Sequence, residues 1–155
     1  MEDIQLKRYL KPAFVVFLNQ ESRDEAISSL VNCIDGKEGI PDKESYLSAL
    51  KKREGIISTG IGMGVAIPHA KLDSFSDFFI AIGIKQQGIG IEWDSLDGSP
   101  VRIVFLIGGP NKKQTEYLKL LSQLTGAIKN EEKRKMLLAA QNAEEVIEIL
   151  CKTQT

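Results

Sequence analysis

The residue in this sequence best suited to chemistry is a histidine set directly after a proline. His69 is the only histidine among 155 residues. It closes the run Ser58-Thr59-Gly60-Ile61-Gly62-Met63-Gly64-Val65-Ala66-Ile67-Pro68-His69. An imidazole with an ordinary pKa of about 6.5 is mostly neutral at neutral pH and keeps one ring nitrogen free as a nucleophile. Pro68 fixes its own φ and biases Ile67 toward an extended backbone, so His69 is presented in a restricted direction. The plainer alternative is a loop histidine beside an ordinary turn, and residue chemistry alone leaves both open.

The glycines in the same run invite a nucleotide-loop reading, which fails on spacing. A dinucleotide fingerprint needs G-x-G-x-x-G opening a helix, and a phosphate loop needs G-K-[ST]. Here Gly60, Gly62 and Gly64 alternate and lead into the strand-like Val65-Ala66-Ile67. A tight turn between short strands explains them, although a backbone without Cβ can also approach an anion closely. One histidine without clustered cysteines or carboxylates makes a metal site unexpected, and no cofactor is called for. There is no G-x-S-x-G elbow, and Asp73 and Asp77 read as solvated turn residues as readily as partners of His69. Aromatic and basic residues do not interleave as a single-strand nucleic-acid platform would require. Lys133-Arg134-Lys135 follows two glutamates and reads as a solvated helix face.

The elements that must hold His69 can be read on either side of it. Ala13–Phe17 is β-branched and aromatic and predicts a strand. Ser22 and Glu25 fit a capping box ahead of Ile27, Leu30, Val31 and Ile34, with Gly36 ending that helix. Pro41-Asp42 opens a second helix to about Arg53, with Tyr46, Leu47 and Leu50 inward. Ile56–Thr59 and Gly64–Ile67 predict two short strands joined by the glycine turn. Phe78–Ile84 and Val101–Ile107 are nearly unbroken apolar runs, as expected of strands covered on both faces. After Thr115 a helix places Tyr117, Leu121, Leu124 and Ile128 on one face. Asn130 and Asn142 are candidate caps for two closing helices. Helices at both ends with strands between them predict an α/β layered fold. The pattern does not say which strands run parallel.

Composition narrows the setting. Twenty basic and twenty-one acidic residues leave a net charge of −1, which argues against a broad footprint for nucleic acid or anionic lipid. Cys33 and Cys151 lie far apart without C-x-x-C spacing and read as free thiols. The N-terminal apolar run is too short for a membrane span and fits no secretory signal, so a cytoplasmic protein is expected. The length suits one domain over residues 1–155.

Arg53-Glu54-Gly55, Ser58-Thr59-Gly60-Ile61-Gly62 and Gly64-Val65-Ala66-Ile67-Pro68-His69 closely resemble the motif of IIA domains of the fructose/mannitol class. That class serves the bacterial phosphoenolpyruvate-dependent phosphotransferase system and includes the nitrogen-regulatory IIA proteins. The likeness continues through Gly90–Val101, Thr115–Leu124 and the closing helices; the first fifty residues match only in helix pattern. The resemblance implies a phosphocarrier with a mixed central sheet flanked by helices on both sides. His69 would accept a phosphoryl group from phospho-HPr and pass it to a cysteine of a IIB domain. Arg53 matches the family's active-site arginine, and its planar, always-charged fork suits phosphoryl oxygens. Backbone N–H groups around Gly62 and Gly64 and the Thr59 hydroxyl are expected to support the same group. As ordinary residues, Arg53 is a helix-end cation and Thr59 a strand threonine.

Many members carry a second histidine where this chain has Tyr117. A tyrosine donates a hydrogen bond to a phosphoryl oxygen or to His69 but, with a pKa near 10, carries no positive charge. Tyr117 as a simple packing residue is the alternative. The resemblance leaves two uses open: sugar uptake, or a regulatory module whose phosphorylation state selects protein partners.

Overall fold

The computed structural model describes residues 6–38 and 40–152. Two 3-10 turns, Leu6–Tyr9 and Pro12–Phe14, precede β1 (Val15–Phe17), α1 (Arg23–Glu38) and α2 (Lys43–Ile56). The strands β2 (Gly60–Gly62), β3 (Val65–Ala66), β4 (His69–Lys71), β5 (Phe79–Ile84) and β6 (Ile103–Gly109) follow. The helices α3 (Gln114–Ile128), α4 (Glu131–Leu138) and α5 (Ala143–Cys151) complete the described chain. The sheet order is β1-β5-β6-β3-β2, with β4 also paired to β6. β1 runs parallel to β5, and β3 and β4 run parallel to β6; β5–β6 and β2–β3 are antiparallel.

Side-chain alternation along the two long strands builds a core on each face. Ile80, Ile82, Ile84, Ile103, Phe105 and Ile107 point toward α3, α4 and α5, meeting Leu120, Leu124, Leu137, Val146 and Ile149. Ala81, Val104 and Leu106 point the other way, toward Leu30, Val31 and Ile34 of α1 and Tyr46 and Leu50 of α2. The layered α/β fold with a mixed sheet and helices on both sides is therefore observed. A small residue lets α1 lie close: a Cβ on Gly83 would sit 3.3 Å from Leu30 Cδ1 of α1, and 2.7 Å from Leu18 Cδ1 in the segment that precedes it.

Local chemistry explains several boundaries. Ser22 Oγ accepts from the Glu25 N–H at 3.2 Å, Asn130 from Lys133 N–H at 2.7 Å, and Asn142 from Glu145 N–H at 2.8 Å. Elsewhere the structure departs from the sequence expectation. β1 begins at Val15 because Pro12, with its preset φ, nucleates a 3-10 turn first. α1 passes through Gly36 to Glu38, since an exposed glycine weakens a helix without ending it. Ile56–Thr59 is not a strand: α2 continues through Ile56, and the glycines themselves form β2. Gly60 is needed there because a Cβ would meet Ser95 Oγ at 2.5 Å. On α3, Leu120 rather than Leu121 is fully buried.

β3 and β4 act as one interrupted strand. Val65 lies opposite Ile103 and His69 opposite Ile107, four residues further along both strands. The register thus survives Pro68, whose carbonyl accepts from the Ile107 N–H at 2.9 Å. His69 stands on a strand braced by the longest strand of the sheet.

Candidate functional site

His69 is half-buried, and its Nδ1 lies 2.8 Å from the Ile67 carbonyl oxygen. A carbonyl only accepts, so this hydrogen bond places the ring hydrogen on Nδ1 and leaves the lone pair on Nε2. Burial, the largest influence, pushes the imidazole pKa below its ordinary value; the nearby charges of Arg53 and Lys71 push the same way. The Ile67 carbonyl and the Glu54 carboxylate oppose this without reversing it. The resting ring is neutral, with one nitrogen ready to form a bond.

Three elements bring groups to it. Arg53, in the last turn of α2, donates from Nη1 to the Ile57 carbonyl at 2.6 Å, and its charge reaches both His69 and Tyr117. Tyr117, in the first turn of α3, has its ring centroid 6.4 Å from that of His69 and stacks on Phe78 at 5.7 Å. Burial raises the Tyr117 pKa, so the phenol stays protonated. Lys71, two residues beyond His69 on β4, holds its ammonium 4.1 Å above the Tyr117 ring and donates to Gln114 Oε1 at 2.9 Å. The neighbourhood carries two cations and one aromatic wall. Ile56 and Ile57, which follow Arg53, are 74% and 56% exposed, and Leu118 beside Tyr117 is 55% exposed. Three large apolar side chains close in sequence to Arg53 and Tyr117 are thus open to solvent.

A buried carboxylate on α2 also acts on the histidine. Glu54 accepts from the Thr59 N–H at 3.2 Å and from the Thr59 hydroxyl. Thr59 Oγ1 in turn accepts from Trp93 Nε1 at 3.2 Å. Thr59 was expected to offer its hydroxyl to a phosphoryl group, but its one hydrogen is given to Glu54. It has none to spare for an anion.

Gly62 and Gly64 do not come to His69 either. Gly62, Met63 and Gly64 all have positive φ, at 99°, 61° and 76°, and form the turn between β2 and β3. Four residues, Val65 to Pro68, lie between that turn and His69, so five steps of extended chain separate them, roughly 16 Å at the strand rise. Its amides are already used: Met63 N–H donates to Asp97 Oδ2 at 3.0 Å and Gly64 N–H to Ser99 Oγ at 3.4 Å. The Ser99 hydroxyl, the Ser99 N–H and the Met63 N–H together pull the Asp97 carboxyl down to about 2. The two glycines shape the β2–β3 hairpin, and their separation from His69 along the strand argues against a part in holding an anion there.

Sequence reading assigned no role to Glu54, Trp93 or Lys71. A signal existed for two of them. Glu54 follows Tyr46 and Leu50 at four-residue steps, which places a carboxylate on the inward face of α2. Lys71 is two residues beyond His69 in a strand, hence on the same face. Trp93 lies in the Gly90–Val101 segment that carries the resemblance, but nothing there pointed to its bond with Thr59. Among the described residues no group of three or more His, Cys, Asp or Glu is placed to hold a metal ion. No helix among them is long and apolar enough to cross a membrane.

Residues 9–153 match the family described as phosphoenolpyruvate-dependent sugar phosphotransferase system, EIIA 2. The chain belongs to that EIIA type-2 family. Among EIIA relatives, the fructose-specific EIIABC component of Bacillus subtilis is 37% identical over 135 residues, 86% of this chain but only 21% of that protein. The fructose-specific EIIA component of Haloferax volcanii is 32% identical, with 83% of this chain and 82% of that one aligned. A nitrogen regulatory protein of Pseudomonas aeruginosa is 28% identical, covering 97% of each chain. Among solved structures, the nitrogen regulatory protein IIA-Ntr from Neisseria meningitidis superposes with a TM-score of 0.85 at 26% identity, over 94% of this chain and 98% of that one. The EIIA fold is also that of Escherichia coli IIAMTL in its complex with phosphorylated IIBMTL, at a TM-score of 0.70 and 21% identity, covering 87% of this chain and 92% of that one.

Proposed function

We propose that this EIIA domain is a phosphocarrier that accepts a phosphoryl group on Nε2 of His69 from phospho-HPr and hands it to a IIB cysteine. The observation that carries this reading is the Nδ1–H bond to the Ile67 carbonyl, which leaves Nε2 as the free nucleophile. In the first step the Nε2 lone pair forms the new P–N bond. The donor's P–N bond breaks, and its electron pair returns to the donor imidazole. In the second step a thiolate attacks phosphorus, the P–S bond forms, and the pair returns to Nε2. Such a transfer is helped chiefly by alignment and by charge placed near the equatorial oxygens. Arg53 supplies a forked cation, Tyr117 a hydroxyl donor, and Lys71 the positive charge that a tyrosine cannot carry.

Incubation with phosphoenolpyruvate, Enzyme I and HPr should add one acid-labile phosphate, and His69→Ala should add none. Equal labelling of the two chains would exclude the reading.

The regulatory use has an observation of its own. The nitrogen regulatory relative and the Neisseria IIA-Ntr structure each align over nearly the full length of both chains. A phosphate on His69 would then replace a neutral ring by a dianionic surface group that partners can read. Discharge of the phosphorylated protein separates the two uses. Rapid loss of phosphate to a fructose-type IIB domain indicates uptake, and retention of it indicates regulation.

A further inference from the structure

The carboxylate next to Arg53 in sequence is used by none of the steps above. Glu54 is 4% exposed, and burying a carboxylate is costly unless its oxygens are satisfied. Here both are satisfied by a single residue, Thr59, through its N–H and its hydroxyl. Thr59 is held from the far side as well. Trp93 Nε1 donates to its Oγ1, and the Trp93 carbonyl accepts from Ser58 Oγ at 2.6 Å. Ser58 Oγ also accepts from the Gly60 N–H at 3.0 Å. The segment 58–60 is therefore pinned between a helix and a loop.

What that segment holds is the histidine's own anchor. The Thr59 carbonyl accepts from the Ile67 N–H at 3.0 Å, and the Ile67 carbonyl accepts from His69 Nδ1–H at 2.8 Å. The hydrogen bonds thus run unbroken from Glu54 to Thr59, to Ile67, to the imidazole. Each link fixes the next acceptor in place, as partners behind a ligating or catalytic histidine fix its tautomer and ring orientation.

We infer that Glu54 is a positioning residue for His69, acting through Thr59 and the main chain of Ile67 to keep the ring in its Nδ1–H form with Nε2 free. The inference deepens the phosphocarrier reading and rests on His69 as the acceptor. Glu54 touches neither donor nor phosphate; it sets the geometry in which Nε2 attacks. A purely structural carboxylate, one that only caps the turn after α2, would affect stability and leave the tautomer alone.

The chain's single histidine makes the test direct. Long-range proton–nitrogen spectra at neutral pH should show wild-type His69 with Nδ1 as the protonated nitrogen and Nε2 as the bare one. In Glu54→Ala the two nitrogen shifts should draw together as the Nε2–H form becomes populated. Phosphorylation by phospho-HPr at saturating donor should slow about tenfold or more, with KM little changed. Glu54→Gln, which keeps an acceptor for the Thr59 N–H, should fall between. If Glu54→Ala does not fold, Thr59→Val carries the same expectation, and Glu54→Gln a smaller shift in the same direction. Nitrogen shifts that stay at wild-type values in a folded variant overturn the inference. A wild-type protein that takes no phosphate, yet loses its tautomer preference in the Glu54 variants, would refute the phosphocarrier reading and leave the positioning role standing.

Discussion

At the scale of single residues, His69 is kept neutral by burial and by the cations beside it. Protonation would consume the Nε2 lone pair, so the proposed acceptor activity should be present above the folded pKa and lost as pH falls through it. Because that pKa lies below about 6.5, activity should persist into acid where an ordinary histidine has already charged. The same shift links to folding: the unfolded ring takes up its proton first, so stability declines as pH drops below about 6.5. A titration of the ring proton resonances checks this, and a midpoint above 6.5 would contradict it. Arg53 and Lys71 act in the same direction, so Arg53→Ala and Lys71→Met should each raise the midpoint. Arg53→Ala should also slow phosphoryl acceptance by about 100-fold, the usual scale for losing a group aimed at developing charge. Lys71→Met should cost less, because its ammonium stands over the Tyr117 ring. His69 and Arg53 were legible from type and motif. Glu54 and Lys71 were not singled out, because a charged side chain in a sequence gives no sign of which way it faces until its helix or strand is placed.

Among the elements, the β2–β3 hairpin separates two meanings of glycine. Sequence adjacency to His69 suggested an anion cradle, but an extended strand carries its two ends apart by about 3.3 Å per residue. The glycines were legible as a turn; the distance between turn and histidine was not. Gly62→Ala, at φ 99° and with a Cβ 3.0 Å from Asp97 Oδ2, should destabilise the protein by about 1–3 kcal/mol in denaturant unfolding. Its rate of phosphorylation per folded molecule should stay within about twofold of wild type, since no hydrogen bond of the turn reaches His69. A selective loss of phosphorylation in a stable Gly62→Ala protein would return the turn to the active centre. Asp97 gives an independent check on the same hairpin. Its carboxylate should titrate near 2 and lose its three donors only in strong acid.

Over the whole molecule, the sheet is a wall between two cores, and the site stands on β4 at the margin of the α3–α5 core, to which Ile67 and Tyr117 belong. The unbroken apolar runs at 78–84 and 101–107 announced strands covered on both faces, and that held. Their direction was illegible because burial on two faces leaves the same apolar pattern whether neighbours run parallel or antiparallel. Leu106 is fully buried on the α1–α2 side of β6. Leu106→Ala should cost about 2–5 kcal/mol of folding stability, measured by denaturant unfolding. His69 should keep its nitrogen tautomer in the fraction that remains folded.

Trp93 gives the chain an optical property that follows from its bonding. It is the sole indole in the protein, 1% exposed, and its N–H ends on the threonine that underlies the histidine's anchor. Indole emission responds to the local field, and a phosphoryl dianion arriving on His69 changes that field through a poorly screened interior. Phosphorylation should therefore alter the intrinsic fluorescence of the native protein, and Trp93→Phe should silence the change. Phosphoryl arrival and departure would then be visible in real time without a label.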